Sequence, residues 1–126
     1  MNMYALVAAF LLGGGVLIHV FLAGRTVHAE MQTALNGFPK ALESLTWHAV
    51  SVWLALHCLL ALAATFYSHS LLTGAIAFGA VHAATLGVLC LGVSRVLCQS
   101  WTAMRQGYIF LAIAAALSAA AAPSIV

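Results

Sequence analysis

From Leu45 to Phe66 the chain runs without one Asp, Glu, Lys or Arg, and Met3 to Ala23, Leu71 to Ser94 and Gly107 to about Pro123 or a little beyond do the same. Crossing the roughly 30 Å hydrocarbon core of a bilayer takes about 20 residues of helix. Each run is near that length. Lipid offers no partner to a free backbone N–H or C=O, so each is expected to close its hydrogen bonds internally as a helix. Composition agrees: hydrophobic residues make up 65% of the 126 and charged ones 5%, against about a quarter charged in soluble domains. Two acids and four Lys/Arg cannot clothe a water-facing surface. The expectation is an all-α, integral membrane four-helix bundle, a single membrane domain over residues 1–126, with the lipid bilayer as its main surrounding. The net charge of +2 gives no reason to expect a nucleic-acid partner.

The few charges orient the spans. Arg25, Glu30, Lys40 and Glu43 fall between the first two runs, Arg95 and Arg105 between the last two, and the Tyr67-Ser68-His69-Ser70 turn has none. The positive-inside rule puts both charged loops in the cytoplasm of a bacterial inner membrane, and both ends outside (N-out/C-out). Met1-Asn2-Met3-Tyr4 lacks a positive stretch, so the first run reads as a retained span rather than a cleaved signal. In the first loop, Val27, Met31, Ala34 and Leu35 recur at helical spacing, which predicts a short interfacial helix over Thr26 to Leu35, with an irregular loop as the alternative. Asn36-Gly37 would end it and Pro39 would keep it from resuming.

Small residues mark helix-packing faces: Ala75, Gly79, Ala83 and Gly87 in the third run, Ala5, Ala9 and Gly13 in the first, Ala112, Ala116 and Ala120 in the fourth. Cys58, Cys90 and Cys98 form no CxxC or zinc spacing and read as free thiols. No Ser/His/Asp or paired-carboxylate arrangement is present, which argues against an enzyme.

Histidines are the chemically unusual residues, because ionisable groups inside a membrane are functional candidates by default. His19 lies roughly 9 Å inside the charged end by helical rise, His48 is near the start of the second run, and His28 is between them. These three, with Glu30, Trp47 and Ser51 nearby, are candidates for a polar or transition-metal site at the cytoplasmic face. His57 and His82 both lie about 18 to 20 Å deep, so they could hold haem b axially, handle protons, or simply hydrogen-bond a neighbouring helix. Nine residues separate His48 from His57, two and a half turns of α-helix at about 100° per residue, so the two face opposite ways. His48 shares its stripe with Ser51, Ala55 and Cys58, a weakly polar face suited to the bundle interior.

Three stretches, HVFLAGRTVHAEM (His19 to Met31), TWHAVSV (Thr46 to Val52) and SWTAMRQGYIFLAIAA (Ser100 to Ala115), together resemble the landmarks of a family of small, uncharacterised bacterial four-span inner-membrane proteins. Those landmarks are His-x-Phe-x-Gly, a Trp-His at the start of span two, and a Trp-led entry to span four. The resemblance implies importance for His19, Gly24, His28, Trp47, His48, Trp101, Gln106, Phe110 and Leu111. The chain departs from the pattern at Glu30 and Arg105, where the family has proline. The resemblance implies no established activity, and it shifts weight toward the cytoplasmic-side histidines.

The leading functional expectation is an accessory or assembly subunit of a larger membrane complex, partnered by other membrane subunits or by itself. A haem-binding redox protein using His57 and His82, and a small transporter or proton-handling channel, are the alternatives.

Overall fold

The computed structural model describes residues 1–122; the predicted end of the fourth run at Pro123 lies outside them. The chain makes four helical rods. The first contains α1 (Met3–Leu17), a π-helical segment (Ile18–His28) and α2 (Ala29–Ala34), continuous over 32 residues. Then come α3 (Gly37–Phe66), α4 (Ser70–Leu97) and α5 (Gln106–Ala121). The first rod, α3 and α4 are long and apolar enough to cross a membrane; α5 is a shorter apolar helix of 16 residues that begins one residue before the expected Gly107.

Two expectations for the first loop change. Residues 26–35 are helical up to Ala34, but they carry on from α1 instead of forming a separate surface helix. Pro39 does not prevent a helix either. The chain reverses at Asn36-Gly37, with Gly37 at φ 59°, and α3 starts at Gly37. Pro39 therefore sits in the first turn, where the missing N–H has no intrahelical partner to lose.

Hydrogen bonds at the two ends fix the antiparallel order. Asn2 caps α1 by accepting from the Ala5 N–H at 3.1 Å, its side-chain amide donates to the Ala120 carbonyl at 2.9 Å, and its backbone N–H donates to the Thr65 carbonyl at 3.0 Å. One residue thus joins the start of α1 to the ends of α3 and α5. At the opposite end the buried Ser94 hydroxyl donates to the Ser100 carbonyl at 2.6 Å and accepts from the Met104 N–H at 3.1 Å, closing the α4–α5 connection. Arg25, Glu30, Lys40, Glu43, Arg95 and Arg105 therefore share the Ser94 end. At the Asn2 end, His69 is exposed and caps α4 by accepting from the Leu71 N–H at 3.2 Å.

Leu12, Leu54, Ile76, Ile113 and Leu117 are the large residues of the core, among alanines that include Ala5, Ala8, Ala61 and Ala83. α1 lies mainly on α3 and α5, α4 lies mainly on α5, and α3 touches α4 more lightly. The α4–α5 contact is the tightest: a Cβ on Gly87 would stand 2.8 Å from the Leu111 side chain and 3.0 Å from the Gly107 carbonyl, and one on Gly107 would stand 3.1 Å from the Gly87 carbonyl. The expected small-residue stripe of α4 is thereby used, and that of α5 in part: Ala120 is buried and Ala116 packs against the core, whereas Ala112 is exposed and Gly107, Ile113, Ala114 and Leu117 complete the inward face. Gly87→Ala is expected to force α4 and α5 apart and destabilise the fold by about 1–3 kcal/mol. Gly14→Ala, where a Cβ meets nothing within 4 Å, serves as the control, and reversible unfolding in detergent is the measurement.

Candidate functional site

Trp47, near the charged end of α3, is the centre of the better-built polar cluster. Its indole stacks with His19 (ring centroids 3.9 Å apart, planes 18° apart) and with His28 (4.7 Å, 17°). The Trp47 carbonyl accepts from the Ser51 hydroxyl at 3.0 Å and lies 3.2 Å from His19 Nε2. A carbonyl can only accept, so the His19 proton is on Nε2 and the neutral ring leaves Nδ1 as an acceptor.

His19 and His28 reach the same indole because of the winding between them. Nine residues of α-helix would point them in opposite directions. From Ile18 to His28 the helix is wider, with i→i+5 bonds such as Ala29 N–H to the Gly24 carbonyl. Each residue then advances roughly 80° instead of about 100°, so nine residues come back to the same face after about two turns. Gly24 lies under the ring, with its Cβ position 3.7 Å from Trp47 Cζ2.

His28 carries the cluster outward. Its Nδ1 is 2.9 Å from Glu43 Oε1, and Gln32 donates to the other carboxylate oxygen at 2.5 Å. The hydrogen bond from His28 holds the Glu43 carboxyl below its ordinary value; Gln32 and the charges of His28 and His48 act the same way, against partial desolvation. His48 is exposed, its ring centroid 6.1 Å from that of His28 and roughly perpendicular to it.

The structure thus brings His19, His28, Trp47 and Ser51 together, and of the two loop acids it is Glu43 that joins them. Glu30 is exposed, and its one contribution is a backbone carbonyl that accepts from Thr33. Glu43, close in sequence to these histidines as Glu30 is, lies four residues before Trp47, on the same face once α3 is extended to Gly37; Gln32 was not anticipated. Among the described residues no three His, Cys, Asp or Glu side chains gather in a group able to hold a metal ion.

The second cluster lies at the middle of the rods. Trp53 stacks with His57 (4.5 Å, 29°) and with His82 (5.1 Å, 24°), and Phe110 meets it edge-on at 6.1 Å. The shared depth of the two histidines is as expected. The expected faces of α3 change in part: His57 is 5% exposed and points inward with Leu54, Ala61 and Thr65, while of the other stripe His48 and Ala55 are exposed and Cys58 packs against the core. α3 turns this side inward because Leu54 and Ala61 join the alanine-rich core and the Cδ2–Nε2 edge of the His57 ring meets Gly79 where a Cβ would collide with it. His57 Nδ1 donates to the Trp53 carbonyl at 3.0 Å.

Both imidazoles stack on one indole, and His57 uses its Nδ1 on a carbonyl while its Nε2 edge rests on the Gly79 backbone. The Trp53 Nε1 is buried with no hydrogen-bond partner. Of the remaining landmarks, Leu111 packs on Gly87, whereas Trp101 and Gln106 are exposed.

No protein-family model, curated protein or solved structure matches this chain.

Glu43 gives a pH prediction. A carboxyl held below its ordinary value stabilises the fold through its ionised form; that contribution is complete above the usual glutamate range near pH 4.3 and is lost as pH falls through it to the lowered value. Wild type is expected to unfold at higher denaturant than Glu43→Gln at pH 6, and the two midpoints should converge as the pH falls below about 4.

Proposed function

We propose that this protein is a small polytopic membrane protein, an accessory or assembly subunit of a larger membrane complex in a bacterial inner membrane, with the cluster around Trp47 as its working polar contact. The observation that carries this reading is the cluster's construction. Two imidazoles stacked on one indole, an ionised carboxylate and an amide form an ordered polar surface at the charged end of a chain whose exterior is otherwise largely hydrocarbon. It lacks a metal-ligand group among the described residues and has no nucleophile paired with a base, so recognition fits its chemistry better than catalysis does. The exposed aromatics support a bilayer setting: Tyr4, Phe66 and Tyr67 ring the Asn2 end, and Phe38, Trp101 and Tyr108 ring the other, as interfacial belts do.

Gentle solubilisation should recover the wild-type chain with a stoichiometric companion subunit. Trp47→Leu, which removes the surface both imidazoles stack on, is expected to lose that companion, and His69→Gln at the other end is expected to keep it. A monodisperse wild-type chain with no companion overturns the reading.

The charged end is assigned to the cytoplasm on the positive-inside rule. Cys98 is exposed at that end. A membrane-impermeant maleimide should leave Cys98 unlabelled in intact cells and label it after permeabilisation, while Ser68→Cys is labelled in both. Labelling of Cys98 in intact cells reverses the orientation.

A further inference from the structure

His82 has an unusual position. It lies near the midpoint of α4 and is exposed. One side of its ring rests on Trp53 and another approaches Phe78 at 6.2 Å. It makes no hydrogen bond to any described residue, although a neutral imidazole carries one donor and one acceptor. Hydrocarbon can satisfy neither, and a polar group left bare at that depth is costly.

The adjoining outer face of α4 carries a group that would accept from its N–H. Thr85, one turn on, is also exposed, and its hydroxyl donates to the Val81 carbonyl at 2.9 Å, leaving the oxygen lone pairs free to accept. His82, Thr85, Phe78 and Val81 line a shallow groove of about 350 Å³. The outer face of α3 differs, with Val52, Leu56, Leu59 and Leu62 and no polar residue among them.

We infer that two copies of this chain associate in the membrane through the outer faces of α4, with His82 of each donating to Thr85 of the other. The inference rests on the membrane reading above. A two-fold axis along the membrane normal brings the same residues of both copies to the same depth. Each copy then supplies the acceptor that the other's imidazole needs, which an unrelated helix would have to provide from its own sequence. Side-chain hydrogen bonds of this kind join helices where lipid removes the hydrophobic drive. Val81 is 67% exposed on this face, and Gly74 and Gly92, each open to its surroundings, add no bulk that would hold the helices apart.

The test is disulfide trapping of the full chain in native membranes, with Cys58 and Cys90 replaced by Ala and Cys98 by Ser. Val81→Cys is expected to give a covalent homodimer on mild oxidation, and Val52→Cys on α3 is expected to give none. In lipid, His82→Leu should weaken the dimer roughly 3- to 20-fold per lost bond, and His82→Gln, which keeps a donor, should restore most of it. If the cysteine-replaced chain does not fold, the mass of the native chain in detergent by light scattering, with and without His82→Leu, takes its place. A Val81→Cys chain that stays monomeric, that links only to a different protein, or that links no more than Val52→Cys overturns the inference, as does a dimer indifferent to His82→Leu. Alkaline carbonate distinguishes the two failures: extraction of the chain defeats the membrane reading, and a monomer in membranes that retain it defeats the dimer alone.

Discussion

Close approach of backbones at glycine is the contact on which the rest of this bundle depends. Gly87 and Gly107 bring α4 and α5 together until a methyl group on either would collide, and Gly79 accepts the His57 ring where α3 meets α4. Dispersion falls off steeply with distance, so such contacts bring gains that bulkier residues would forfeit by holding the helices apart. The His57–Gly79 contact matters most for chemistry. α3 and α4 touch lightly elsewhere, so this contact sets their spacing and brings His82 onto the Trp53 indole.

The charged end depends on a second device, the wide winding of Ile18–His28. Two pairs of histidines in this chain are separated by nine residues, with opposite results. His48 and His57 lie on α-helix and face apart, one exposed and one buried. His19 and His28 lie on π-helix and stack on the same indole. A wide helix is uncommon and tends to occur at functional positions. Here the stacking on Trp47 and the His28–Glu43 bond offset its poorer geometry.

Much of the architecture was legible without coordinates, because hydrocarbon length and backbone satisfaction leave few choices. Positions 3, 66, 71 and 94 bound uncharged runs that lie inside the observed rods. The equal depth of His57 and His82 followed from counting along helices. Errors arose where local rules compete with tertiary contact. Arg25 and Glu30 looked like loop charges, yet the helix continues through them because Trp47 offers His28 a stacking surface. Pro39 looked like a barrier, and it lies in a first turn. The fourth run starts where expected, its helix beginning at Gln106, one residue before Gly107.

The amino-acid sequence by itself determined that the chain is helical, where most of its helices lie, that its charges gather at one end, and which residues are chemically unusual. Those properties depend on composition and on the axial rise of a helix, which are the same whatever the helix packs against. Rotation about each helix axis is different, because it is set by neighbours. Only the tertiary structure decided that His57 faces in and His48 out, that Glu43 instead of Glu30 joins the cluster, and that Trp47 and Trp53 each gather a pair of imidazoles. Each of those outcomes turns on a fraction of a helical turn, which spacing along a chain does not specify until another backbone stands beside it.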